Sequence, residues 1–365
     1  MKSERSSTPS SRRTAEAVSR PARRRLLKTA VNGLLLTAGF LLTALVLKAS
    51  GMSPAALLDR FREVRFGYLL LAGAAYGFQS LFIAKRWTVL LGCYADLGRL
   101  PKGFIFYATN LGLLLTSFVP VVGNMGAKAL VCKLEQDISL PKTVFAVSLE
   151  YLLGFAVIAA MIVPGSLYAL GLLGVPAATA VLVLVSAALL IGFPRGYRFF
   201  LSRIGGLLAF GERRLGRFAL LRRLAGRANA LSGRFADIGP RASAKLVRYS
   251  LLTYFVVLAR SYLCVLAFDI PVGFLEFSLL FAWGYALSCV GVTPGSLGVA
   301  ELGWFGVLTF AGVGKENAAF FALGKRVVDL AAALALAAGS YVYSGCRKRA
   351  WPAEPWPGRG RGITK

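Results

Sequence analysis

The chain has 365 residues, 56% of them hydrophobic, and a mean hydropathy of +0.64, which is too apolar for a soluble globular protein of this length. It contains no histidine, which excludes His-based triads, imidazole general bases and His-ligated metals. Its formal charge of +27 does not point to nucleic acid, because the basic residues flank apolar blocks instead of forming a soluble basic domain; anionic lipid and the positive-inside bias account for them.

Residues 1–25 read as a disordered, basic, cytoplasmic tail. Arg23, Arg24, Arg25 and Lys28 abut the apolar run Leu26–Leu47, which reads as an uncleaved anchor with its N-terminus inside. A bilayer core about 30 Å thick needs about 20 apolar residues per helix. The runs Phe66–Leu91, Phe104–Val119, Val144–Ala169 and Val175–Phe193 follow. After them come Leu246–Phe268, Phe274–Val292, Gly298–Val313 and Ala318–Tyr343. Residues 26–345 thus form one membrane domain. The stretch 195–245 is Arg-rich and cytoplasmic. Within it Leu221, Leu224, Ala228, Leu231 and Phe235 fall on one helical stripe with Arg222, Arg223, Arg227 and Arg234 off it, the pattern of a basic amphipathic helix on the membrane surface or, as the alternative, a solvated loop. Residues 346–365 read as a basic cytoplasmic tail. The five cysteines, Cys93, Cys132, Cys264, Cys289 and Cys346, form no C-x-x-C pair and read as small hydrophobes.

With the N-terminal tail and the Arg-rich loop both inside, an even number of crossings must separate them. Five apolar segments lie between, so one does not cross. Phe104–Val119 is short, is followed by Pro120, Gly123 and Gly126, and has Lys102, Lys128 and Lys133 around it, so a re-entrant hairpin is expected there. The pattern recurs: Phe118–Gly123 runs parallel to Val292–Leu297, and each copy leads into a long apolar helix with a charge. The spacing from Pro120 to Glu150 is nearly the spacing from Pro294 to Arg326. The first copy (102–170) starts from the inside and the second (274–344) from the outside, the signature of an inverted-repeat transporter with its site near the midplane. The expected fold is all-α: a polytopic membrane helix bundle with six to eight spanning helices and two re-entrant or broken elements in an inverted repeat.

The two patches carry a family resemblance. Asn110-Leu111-Gly112, Phe118 to Gly126 and Ser148-Leu149-Glu150 form the first; Thr293-Pro294-Gly295-Ser296-Leu297-Gly298-Val299-Ala300-Glu301 with Arg326 forms the second. Over roughly Leu26 to Tyr343 the chain resembles the flippase-like membrane region of the lysylphosphatidylglycerol synthases, also called multiple peptide resistance factor. The chain departs from that family at Tyr151 and Gly154, where the family commonly has an Arg and an acidic residue, and only a short basic stretch follows Tyr343 where the synthases have a soluble catalytic domain. The resemblance implies handling of a membrane lipid or a polyprenyl-linked substrate and does not imply lysyl transfer.

A charge at the bilayer centre costs about 2.5–3.5 kcal/mol, so such residues face a cavity and a partner. Six residues are candidate substrate ligands: Asn110, Lys128, Glu150, Glu301, Arg326 and Asp329. Glu150 reads as cavity-facing or as an interhelical hydrogen-bond partner. Arg326 and Asp329 share a helix face and read as a mutual ion pair, or as a phosphate-binding Arg held by Asp329. Glu301 follows a Gly-rich break and reads as a helix cap or an ammonium ligand. Lys128 reads as a phosphate ligand near the cytoplasmic surface or as an inside marker. Gln79 and Lys85-Arg86-Trp87 are weaker, the latter an interface anchor. Pro120, Gly123, Gly126, Pro294, Gly295 and Gly298 are expected to break helices along the cavity, or merely to kink them.

The leading expectation is a multi-pass transporter or flippase-like protein of the cytoplasmic (inner) membrane, with both termini cytoplasmic, acting on an anionic phospholipid or lipid-linked precursor. Alternatives are a membrane-embedded transferase using polyprenyl-phosphate or lipid donors, and a scaffold for a lipid-modifying enzyme. No P-loop is present, and no catalytic residue, cofactor, metal or nucleic-acid partner is expected; a homo-oligomer or a partner enzyme is compatible with the pattern.

Overall fold

The computed structural model describes residues 33–92, 102–119, 122–136, 138–193, 239–289 and 293–350. The expected N-terminal tail, the amphipathic stripe at 221–235, Pro120, and the tail beyond Ala350 lie outside the described residues.

Eleven helices and no strand are present among the described residues. They are α1 (Gly33–Ser50), α2 (Pro54–Arg62), α3 (Phe66–Leu91), α4 (Lys102–Thr116), α5 (Val122–Gln136) and α6 (Leu140–Ala169). Then come α7 (Val175–Phe193), α8 (Pro240–Ala267), α9 (Phe274–Cys289), α10 (Val299–Phe310) and α11 (Lys315–Ala350). Proline at the first turn starts α2, α6 and α8, where a missing N–H costs nothing. The Ser53 hydroxyl caps α2 by accepting the Ala56 N–H at 3.1 Å.

Five helices, α1, α3, α6, α7 and α8, are long and apolar enough to cross a membrane, and Gly103–Thr116 and Phe274–Cys289 are shorter apolar helices. Leucines such as Leu41, Leu70 and Leu184 lie exposed on the outer faces, as lipid contact requires. The protein is a polytopic helical membrane bundle.

The second expected break falls at Pro294; at the first, α4 ends at Thr116 in a turn and α5 begins at Val122, with Pro120 outside the described residues, and α4 and α5 have 15 residues each. At 1.5 Å per residue each is about 22 Å long, short of the bilayer core. In the second copy α9 has 16 residues, a 3-10 turn covers Pro294–Ser296, and α10 has 12. The run Gly298–Val313, the second piece of the expected re-entrant or broken element, is the short helix α10. The expected tail at 346 begins instead as a continuation of α11, which is helical through Ala350.

The helices pack with a regularity that the sequence patches only hint at. Among the main contacts, α3 packs on α8, the most extensive helix pair. Within the first half α4 touches α3 and α5, and α6 touches α3 and α5; within the second, α9 touches α8 and α10, and α11 touches α8 and α10. Across the halves α6 packs on α9 and on α8, while α11 packs on α4 and on α3. Exchanging α3–α6 with α8–α11 leaves this set unchanged. The first residues of α3 and α8, Phe66 and Pro240, stand at the same sequence separation as Pro120 and Pro294. The contact symmetry extends over four helices in each half and includes α3 and α8, which precede residues 102 and 274.

Candidate functional site

A cavity of about 310 Å³ lies where the two halves meet, walled by residues of α3–α6, α8–α11 and the second break. Its charged groups come in three sets, each built from helices that the packing brings together.

In the first half, Glu150 on α6 accepts from Arg86 Nη2 at 3.0 Å and from Lys128 Nζ at 2.8 Å. Arg86 Nη1 also donates to Ser250 Oγ of α8 at 3.2 Å. Lys128 is 0% exposed, and its ammonium lies 4.9 Å from the centre of the Trp87 ring. In the second half, Asp329 on α11 pairs with Lys325 at 2.6 Å and with Arg260 at 3.2 Å. The Arg260 guanidinium lies over the Tyr76 ring of α3 at 4.5 Å, and Lys325 lies 5.5 Å from the Trp304 ring. Each of these two sets therefore holds one arginine, one carboxylate, one lysine and a tryptophan beside the lysine. Arg86 and Arg260 stand at the separation that relates Phe66 to Pro240, and so do their cross-half partners Tyr76 and Ser250. The two arginines are equivalent positions of the repeat.

The third set ties the second break to α11. Arg326 pairs with Glu301 at 2.9 Å and donates from Nη2 to the Gly295 carbonyl at 2.8 Å. The other Glu301 oxygen accepts the Gly298 N–H at 2.6 Å, capping α10. Gly295 and Gly298 have φ of 63° and 79°. A Cβ on Gly295 would strike the Ser117 carbonyl oxygen, so the two breaks touch; one on Gly298 would strike Leu42 and the Gly39 carbonyl of α1.

Of the expected ligands, Glu150, Glu301, Arg326 and Asp329 line the cavity. Lys128 is fully buried and bonded to Glu150, and Asn110 is buried against Ser80. Of the expected backbone breaks only Gly295 lines the cavity; Gly123, Gly126, Pro294 and Gly298 do not. Arg326 and Asp329 do not pair with each other, because Lys325 and Arg260 reach Asp329 while Glu301 takes Arg326. The Arg86-Trp87 pair is no interface anchor: Arg86 is 7% exposed, Trp87 is 0%, and only Lys85 faces outward. Gln79 lines the cavity with its carbonyl oxygen unpartnered. The departures at Tyr151 and Gly154 have a local reason. The Tyr151 hydroxyl accepts from Asn124 at 3.0 Å, and Gly154 lies beside Arg86, which supplies the charge partner for Glu150.

The sequence reading missed Arg260 and did not select Lys325. Arg260 carries the same signal as Glu150, a lone charge inside an apolar run. Among the described residues no three His, Cys, Asp or Glu side chains come together as a metal-sized cluster. Beside the carboxylates of Glu150, Glu301 and Asp329 and the Gln79 carbonyl, the walls carry Arg86, Arg260, Lys325 and Arg326, cationic donors of the kind that hold an oxyanion.

No curated protein matches the chain. The family model for the lysylphosphatidylglycerol synthase transmembrane region matches residues 31–337, which takes in α1 to α10 and the first part of α11. The chain belongs to the lysylphosphatidylglycerol synthase transmembrane-region family.

Proposed function

We propose that the protein moves an anionic lipid between the leaflets of the cytoplasmic membrane, with the lipid head group held in the central cavity. One observation carries this reading: the buried cluster is formally positive. Arg86, Lys128, Arg260, Lys325 and Arg326 face Glu150, Asp329 and Glu301, an excess of two positive charges, with all but Arg326 and Asp329 nearly fully buried. Such an excess is costly unless a ligand completes it. The half-length helix pairs support the same reading. Broken helices at corresponding places in two repeats are the arrangement of transporters whose site lies at the repeat interface, and inverted copies would let one half open as the other closes. The exposure of the Arg326 side chain, 30%, and its being held at the tip of the guanidinium support a role in meeting the head group first.

The test is lipid movement in vesicles of defined composition. Purified protein is reconstituted with fluorescent phosphatidic acid or fluorescent phosphatidylglycerol, and an impermeant quencher reports the fraction in the outer leaflet. Protein-dependent quenching beyond the outer-leaflet half is expected for at least one of them, with a slower phase for Arg326→Ala. Vesicles with protein that behave like empty vesicles toward both lipids would sink the proposal.

A further inference from the structure

We infer that the cavity selects a lipid phosphomonoester, a head group with two negative charges, over the phosphodiesters that make up most anionic phospholipid. This rests on the lipid-moving reading above and narrows its substrate class.

The charge balance gives the number. The cavity cluster carries two surplus positive charges, and they are divided evenly: the Arg86–Glu150–Lys128 set and the Arg260–Asp329–Lys325 set hold one each, while Arg326–Glu301 is neutral. A phosphodiester brings one negative charge. A phosphomonoester brings about 1.5 to 2 near neutral pH, its second proton leaving near pH 6. Only the second kind neutralises both halves at once.

The unpartnered hydrogen-bonding groups of the wall are of both kinds, and its donors match a phosphate. Arg86 Nε, Arg260 Nε and the Tyr254 hydroxyl are buried with no acceptor, while the side-chain carbonyl oxygens of Gln79 and Asn124 are buried with no donor; all five residues line the cavity. Buried donors are rarely left unpaired. A terminal phosphoryl group presents three free oxygens to them, whereas a diester presents two. The rest of the wall says that the phosphate is attached to something apolar. Ile83, Leu113, Phe155, Val157, Ile158 and Leu330 also line the cavity, and its volume of about 310 Å³ suits a compact head group with little beyond the phosphate.

The test is binding in detergent micelles, followed by tryptophan fluorescence, since Trp304 lines the cavity. The probes are dioleoyl phosphatidic acid, dioleoyl phosphatidylglycerol and inorganic phosphate. At pH 7.5 phosphatidic acid is expected to bind at least about tenfold more tightly than phosphatidylglycerol, and to lose that advantage below about pH 6 as it takes up its second proton. Arg260→Gln, which removes one surplus charge, should cut the advantage about tenfold; Asp329→Asn, which adds one, should leave it intact or enlarge it. A merely structural role for these residues would weaken binding in both variants. Equal affinity for the two lipids, or a preference indifferent to pH, would overturn the inference. Inorganic phosphate competing as strongly as phosphatidic acid would overturn its lipid part. The two readings fail separately. If both lipids cross the bilayer at the same rate and bind alike, lipid movement stands and this selectivity falls. If neither crosses but phosphatidic acid still binds selectively, the selectivity stands and lipid movement falls.

Discussion

At the scale of single residues, the buried charges obey a simple ordering. Glu150 is the only anion among Arg86 and Lys128. Glu150→Gln leaves two buried cations without a counter-charge, a change that costs about 3–5 kcal/mol. Lys128→Met leaves the neutral Arg86–Glu150 pair and should cost less, under about 2 kcal/mol. The double variant keeps a single cation and should be more stable than Glu150→Gln alone. Chemical denaturation in mixed micelles, followed by tryptophan fluorescence, would read the order; a double variant less stable than both singles would refute it. The glycines divide in the same way. Gly295 has a left-handed backbone and lies against the Ser117 carbonyl, so Gly295→Ala should destabilise by about 1–3 kcal/mol. Gly126 lies within α5 with nothing near its missing Cβ, so Gly126→Ala should stabilise by about 0.4–1 kcal/mol, and thermal unfolding would show the opposite signs. This contrast explains what was legible. The sequence marks both as glycines near a proline, but only the fold says which one another backbone touches. Burial of charge was legible too, since Glu150 and Asp329 stand out in apolar runs. Their partners were not, because Arg86 beside Trp87 is also the pattern of a membrane-surface anchor, and nothing local tells whether that end of α3 meets water or Glu150.

At the scale of elements, apolar length was the strong signal. The runs predicted for α3 and α7 match the helices residue for residue, because about 20 or more apolar residues admit little else in a membrane. The half-length helices were less legible: Gly298–Val313 is apolar throughout, but α10 starts just after the turn at 294–298 and stops at Phe310, before Gly312 with its left-handed backbone, which leaves 12 residues. That turn is held by Glu301, which caps α10 and pairs with Arg326 at once. The two roles separate by substitution. Glu301→Gln keeps an oxygen for the Gly298 N–H and loses the charge; Glu301→Ala loses both. The alanine variant should be less stable than the glutamine variant by about 1 kcal/mol, the worth of a helix cap. Equal stabilities in a thermal melt would mean that the carboxylate does not hold the break.

At the scale of the whole molecule, the question is whether the two halves share the work. The main helix contacts are unchanged by exchanging α3–α6 with α8–α11, and the two arginines occupy equivalent positions. The carboxylates do not: Asp329 lies further along its copy than Glu150 does along the first, by a little over one helical turn. The lysines differ as well. Lys128 comes from α5 and reaches across to Glu150 on α6, whereas Lys325 sits on α11 itself, one turn before Asp329. The two halves thus assemble the same three charges from different parts, with only the arginine of the α3–α8 pair held in register. If the triads act as equals around one ligand, Glu150→Gln and Asp329→Asn should change the rate of lipid movement by similar factors. If only one half meets the ligand, the two should differ by about tenfold or more, the effect of roughly 1.4 kcal/mol. The vesicle quenching assay reads both rates directly, and Lys85→Gln, an exposed lysine outside the cavity, is the control expected to leave them unchanged. Equal effects of the two carboxylate variants with an unaffected control are the expected result; a silent Asp329→Asn would confine the work to the first half.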